Sequence, residues 1–373
     1  MKFLFASDSF KGTLSTVKTA DLLTKAARQV FPQCECIGVP VADGGEGTMD
    51  AVLSATGGSR IPVRVHDPLM RPMEVSYGKM DGCRAIIEMS AASGLPLLTE
   101  DERNPAKTTS YGTGELIAAA LRAGCKDITI AIGGSATNDG GMGCMSALGA
   151  RFLDAEGREL AGTGENLIFV KHMDISNLLP EIKEAFFTVI CDVTNPLCGP
   201  QGATYTYGPQ KGGRPDLLAG LEKGMCKYRD VIKKELGIDL DTLPGSGAAG
   251  GLGGALAAFL GATLKPGIET VLDLVDFDKK LADVSLVVTG EGCLDRQSCF
   301  GKVVQGVGMR CKRRGIPAVA LVGSTGEGAE QILNYGISRI ITTASENMPL
   351  AEVLQRAEEL YFEAAVRMFS EYK

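Results

Sequence analysis

The chain has 373 residues, enough for two or three domains, with 45% hydrophobic and 22% charged residues, so it can bury large cores without staples. A net charge of −7, with Lys312-Arg313-Arg314 as its longest basic run, disfavours nucleic acid as a partner. No stretch approaches ~18 uninterrupted apolar residues and the start, MKFLFASDSF, lacks a signal-peptide pattern, so no membrane partner and a cytoplasmic location are expected. Eleven irregularly spaced cysteines, with no CxxC pair, read as reduced thiols. Glycine is the outlier: its 48 copies exceed the usual share of about 7% and gather in loops.

In chain order, Phe3–Ala6 reads as a buried strand that runs into Ser7-Asp8-Ser9-Phe10-Lys11-Gly12. Ser15 is placed to cap a helix keeping Val17, Ala20, Leu23, Ala27 and Val30 on one face, and Pro32 ends it. Ile37–Val41 is a second strand, ending in Asp43-Gly44-Gly45-Glu46-Gly47-Thr48, and a helix follows. Ile61–Val65, Met73–Met80 and Arg84–Met89 form an antiparallel meander, and a helix covers Thr113–Ala123. Next comes Ile128–Gly143, an apolar strand breaking into Gly133-Gly134-Ser135-Ala136-Thr137-Asn138-Asp139-Gly140-Gly141, with a helix over Met142–Ala150. Glycines that let the backbone approach a ligand, just before helix N–H groups, predict a phosphate cradle; a connection without ligand is the plain alternative.

Phe186–Cys191 is a strand leading to Asp192-Val193-Thr194-Asn195-Pro196-Leu197-Cys198-Gly199. Gly208–Gly213, containing Lys211, and a polar helix over Pro215–Leu236 follow. Gly245–Gly250 matches GxGxxG without a strand before it, which favours close packing of small residues over a dinucleotide loop. After Lys280 the βα rhythm returns, with strands at Ser285–Thr289, Ala318–Val322 and Arg339–Thr342, a helix over Gly301–Arg314, and a last helix opening at Pro349. The expected fold is α/β: a Rossmann-like parallel-sheet domain built by both termini, residues 1–65 and 280–373, with an inserted mixed α/β domain over 66–279 and the active site in the cleft between them.

With two histidines, both away from the polar loops, Ser–His–Asp chemistry and a zinc site are disfavoured. Carboxylates at strand ends (Asp8, Asp43, Glu46, Asp139, Asp192, Glu291 and Asp295) stand with Lys11, Lys211, Lys302 and glycine loops. Such a set suits Mg²⁺-assisted phosphoryl transfer, in which carboxylates hold the metal, lysines and backbone N–H groups hold phosphates, and one carboxylate accepts the hydroxyl proton. Walker A and protein-kinase signatures are absent.

Asp8-Ser9-Phe10-Lys11-Gly12, Asp43-Gly44-Gly45-Glu46-Gly47-Thr48, the Gly133–Gly143 stretch, Asp192-x-Thr194-Asn195-Pro196-Leu197, Gln210-Lys211-Gly212, Gly290-Glu291-Gly292-x-x-Asp295 and Gly301-Lys302, in this order over essentially the whole chain, resemble the bacterial glycerate kinases with two α/β domains. The resemblance implies ATP-dependent phosphorylation of D-glycerate in glyoxylate or sugar-acid breakdown. Cys293 departs from the larger polar residue of many relatives.

From the chemistry, Asp43, Glu46 and Glu291 are the Mg²⁺ candidates. Asp192 and Asp295 are alternative proton acceptors, with Lys11 also catalytic. Asp8, Ser9, Gly44, Gly45, Gly133, Gly134, Ser135, Thr137, Asn138, Asp139, Asn195, Lys211 and Lys302 are expected to bind glycerate or ATP. The expected product is 2-phosphoglycerate rather than 3-phosphoglycerate, and a homo-oligomer is left open. The competing readings are a dinucleotide-dependent oxidoreductase acting on a small hydroxy acid and a sugar-acid-binding regulator.

Overall fold

The computed structural model describes residues 1–10, 12–45, 47–344 and 348–372. The expected positions Lys11 and Glu46 lie outside the described residues. Contacts divide the chain into a terminal unit (Met1–Asp43, Asp50–Thr56 and Gly267–Lys373) and an inserted unit (Gly44–Met49 and Gly57–Pro266). The boundaries differ from 65 and 280. Ser59–His66 pairs with Pro72–Lys79 inside the inserted unit, and Gly267–Leu274 packs in the terminal one.

The terminal unit holds a five-stranded parallel sheet ordered Ile337–Thr342, Ala318–Val322, Leu286–Gly290, Lys2–Ser7, Glu35–Gly38. Strands from both ends of the chain share it: Phe3 stands opposite Leu286 and Leu4 opposite Val287, as the returning βα rhythm predicts. Leu286–Gly290 and Ala318–Val322 are buried throughout, which is why they read as unbroken apolar runs rather than alternating ones. On one face, Phe3 and Phe5 pack against Leu22, Leu23, Tyr361 and Phe369. Ser15 caps the Thr16–Val30 helix through its Oγ, which accepts the Lys18 N–H at 3.2 Å. Its buried stripe is Thr19, Leu22, Leu23, Ala26 and Ala27, whereas Val17 is 54% exposed, so the core face is rotated from the one expected. The last helix is two, Leu350–Gln355 and Ala357–Tyr372, meeting at Arg356.

The inserted unit holds a six-stranded mixed sheet ordered Thr263–Lys265, Phe186–Ile190, Asp127–Ala131, Arg84–Glu88, Pro72–Lys79, Ser59–His66. The meander is antiparallel as expected, and its third strand continues in parallel pairing to Asp127–Ala131. Thr263–Lys265 went unpredicted, being three residues long and too short to show a period. Among the described residues no helix is long and apolar enough to cross a membrane.

Candidate active site

In the terminal sheet the chain leaves Lys2–Ser7 toward Glu35–Gly38 on one side, and leaves Leu286–Gly290 toward Ala318–Val322 on the other. The crevice at the carboxyl ends of those two central strands is the topological switch point, where ligands gather in open α/β sheets. Asp8 follows one strand and Glu291 the other, and the Asp8 N–H donates to the Gly290 carbonyl at 2.8 Å. Gly290 has no substitute here, because a Cβ would stand 1.9 Å from the Leu321 carbonyl oxygen.

A cavity of about 770 Å³ opens at this point. Asp8, Ser9, Asp43, Glu291, Asp295 and Lys302 line it together, six residues that the sequence scatters over almost the whole chain. Phe10, Leu14, Val353, Leu354 and Ala357 supply an apolar wall, and Ser324, Thr325, Thr342 and Thr343 supply hydroxyls. Sequence reasoning missed this second half. Its residues come from ordinary helix faces and strand ends and carry no loop signature.

Glu291 is buried, and its Oε1 has no hydrogen-bond partner. Burial pushes its carboxyl above the usual range; Asp8 and Asp295 add to the rise, and Ser298 and Lys302 oppose it. Asp295 has a structural task as well. Its Oδ1 accepts the N–H groups of Gln297 (2.7 Å) and Ser298 (3.3 Å), and its own N–H donates to Ser298 Oγ (3.0 Å). This reciprocal cap on the turn Arg296–Cys299 holds the carboxylate at the cavity wall.

The glycine stretch of the inserted unit departs from expectation. Its helix runs only over Met142–Ala147, and its N-terminus is already filled by an anion of the chain itself. Asp139 is fully buried: its Oδ1 accepts from Gly141 N (3.1 Å), and its Oδ2 from Gly143 N (3.2 Å), Ser110 N (2.8 Å) and Ser110 Oγ (2.7 Å). Burial raises its pKa, and these four bonds pull against the rise. A Cβ at Gly143 would lie 2.0 Å from Thr109 Oγ1, so that glycine serves the buried cap rather than a ligand. Asp139 and these helix N–H groups are thus no phosphate cradle. Ser110, missed in the sequence, has a visible marker only in the polar triplet Thr108-Thr109-Ser110.

Thr137, Asn138 and Lys211, expected to meet a ligand, are also buried, and Ser135 nearly so. The Lys211 ammonium donates to the Thr137 carbonyl (2.6 Å) and to Ser135 Oγ (3.1 Å), and burial lowers its pKa to about 7, with Asp139 opposing. Asn138 Nδ2 donates to Thr204 Oγ1 at 3.2 Å. The exposed part of the stretch is Gly133-Gly134, and Gly44 lies beside it, its carbonyl 3.8 Å from where a Gly133 Cβ would be. Asp192 is exposed, and Asn195 is held by the Gln201 carbonyl and by Tyr207.

The GxGxxG match is buried packing. A Cβ at Gly247 would stand 2.1 Å from the Pro196 carbonyl oxygen, and one at Gly250 2.0 Å from that of Thr137. The glycines bring the chain against the 137–140 stretch and leave no approach for a pyrophosphate, so the dinucleotide reading has no support.

Acidic loops at the switch point of a parallel sheet, beside a cavity with an apolar wall, are an arrangement common among α/β enzymes and make this crevice the candidate site. The model of the glycerate kinase family matches residues 3–373. The chain is 44% identical to the glycerate 2-kinase of Escherichia coli, over 96% of this chain and 94% of that one. It is 42% identical to the glycerate kinase of Bacillus subtilis, over 98% and 96%. A crystal structure of a protein described as glycerate kinase 2 from Salmonella typhimurium superposes with a TM-score of 0.91 at 41% identity, covering 100% of this chain and 98% of that one. The chain belongs to the glycerate kinase family, and it is a kinase, a phosphotransferase with an alcohol group as acceptor.

Proposed function

We propose that the protein phosphorylates D-glycerate with ATP and Mg²⁺ to give 2-phosphoglycerate, using the terminal-unit cavity for the nucleotide and the metal. The observation that carries the reading is Glu291. A buried carboxyl with an unpartnered oxygen, facing the further carboxylates Asp8 and Asp295, suits a hard divalent cation. Asp43, on the same cavity, completes an all-oxygen donor set. These carboxylates would hold Mg²⁺, which would supply charge neutralisation to the phosphates.

The chain's own residues divide the remaining work. Lys302 is the lining's cation among the described residues and offers its ammonium to phosphate oxygens. The apolar wall of Phe10, Leu14, Val353 and Leu354 takes a nucleoside, and about 770 Å³ is far more room than a three-carbon acid needs. The exposed Gly133-Gly134 turn permits close approach of a small anion to backbone. Asp192 or Asp295 accepts the proton of the attacking hydroxyl, and Asp295, fixed by its cap, is the one that lines the nucleotide cavity. The name of the Escherichia coli relative supports transfer to the 2-hydroxyl. The reading places the enzyme in the cytoplasm, with its cysteines reduced.

Phosphorus NMR of the product from ATP, Mg²⁺ and D-glycerate tests this. A 2-phosphoglycerate resonance is expected. A 3-phosphoglycerate resonance overturns the position of transfer, and no consumption of ATP with D-glycerate overturns the substrate.

A further inference from the structure

The inserted unit carries a second group of ligand-type side chains, none of them among the residues assigned above. Glu222 and Cys226 stand four residues apart on the Pro215–Leu236 helix, hence on one face. Cys198 meets them from the loop that follows Phe186–Ile190. The two sulfurs and a Glu222 carboxylate oxygen lie within 4.8 Å of one another, the one such group of three among the described residues. We propose that Cys198, Glu222 and Cys226 form a binding site for a thiophilic divalent cation of the Zn²⁺ class.

Glu222 gives the second, independent sign. It is 8% exposed, and its two oxygens differ. Oε1 accepts the Gly199 N–H at 2.6 Å and faces the Cys226 sulfur at 3.6 Å, while Oε2 is buried with no partner. An unpartnered buried carboxylate oxygen is costly unless something positive takes it up. The spacing suits a metal, since Zn–S bonds of about 2.3 Å set tetrahedral ligand atoms about 3.8 Å apart. Cys226 is half-buried, so the group is not sealed from solvent.

Binding releases the two thiol protons to solvent, and a divalent cation with two thiolates and one carboxylate carries one excess negative charge. Burial raises both thiols above their ordinary range, and Arg229, itself ion-paired with Asp230 and Asp241, opposes that rise in part. Filled, the site would tie the Asp192–Gly199 loop, which carries Asn195, to the long helix.

The test is a titration of the full-length protein, kept reduced with a phosphine, with Co²⁺ as the probe. Wild type is expected to develop a sulfur-to-cobalt charge-transfer band that saturates at one equivalent and is bleached by Zn²⁺. Cys198→Ser and Cys226→Ser should lose the band. Glu222→Gln, which keeps an acceptor for Gly199, should bind Co²⁺ more than about tenfold more weakly. Cys34→Ser and Cys293→Ser should keep it. Should a cysteine variant fail to fold, the melting temperature decides: Zn²⁺ should raise it in wild type and not in Glu222→Gln. No band in wild type, or a band that survives Cys198→Ser or disappears in Cys34→Ser or Cys293→Ser, overturns the proposal.

Discussion

Lys211 donates to the backbone carbonyl of Thr137 at 2.6 Å from a fully buried position behind the glycine stretch. The lysine holds the backbone of that stretch in place.

The placement has a consequence for stability. Burial lowers the Lys211 pKa to about 7, whereas the unfolded chain has the ordinary value of 10.5. Between these values the unfolded state binds the extra proton, so stability rises with pH. The contribution is complete above the unfolded value and lost as pH falls toward about 7. Urea denaturation of wild type and Lys211→Met from pH 7 to pH 10 should show wild type gaining on the variant as pH rises. A difference that does not vary with pH would mean that Lys211 stays charged in the fold.

Asp139 should matter to folding more than to ligand binding. Asp139→Asn keeps one acceptor oxygen but turns an NH2 group toward at least one of the four buried donors and should cost on the order of 3 kcal/mol, with Ser110→Ala costing about 1–2 kcal/mol. Denaturation midpoints measure both. If Asp139→Asn melts as wild type but loses ATP affinity, the residue faces a ligand after all.

Activity should require Mg²⁺ or Mn²⁺ and vanish in EDTA, because the cavity offers oxygen donors. Glu291→Gln should raise the Mg²⁺ concentration needed for half-maximal rate, with excess metal partly restoring turnover. Full wild-type rate in excess chelator contradicts the assignment of the metal to this cavity.

The two candidate bases are separable by metal rescue. Asp295→Asn should lower kcat by about 10²–10⁴ with little change in either KM, and added Mg²⁺ should not restore it. Asp192→Asn should change KM or metal dependence instead. The reverse pattern transfers the role of base to Asp192. Because Asp295 also caps Arg296–Cys299, circular dichroism on the variant should confirm native folding before the rate is interpreted.

Local chemistry made much of the architecture legible. Phe3–Ala6, Leu286–Gly290 and Ala318–Val322 are apolar runs because both faces of a parallel strand are buried, and their return after residue 280 was enough to assign both termini to one sheet. The acidic residues just past the buried strands Lys2–Ser7 and Leu286–Gly290 were legible as well: Asp8 and Glu291 follow those strands directly and line the cavity. What tertiary structure alone decided is which way each polar residue points. Asp139 and Asp8 both follow a buried strand in a polar loop. Asp139 is enclosed because Ser110, 29 positions away, arrives with two donors, while Asp8 opens onto a cavity whose apolar wall joins Phe10 and Leu14 to Val353, Leu354 and Ala357. Spacing along a chain records neither arrival. A carboxylate becomes a cap or a ligand according to which donors surround it, and those donors are supplied by segments distant in sequence.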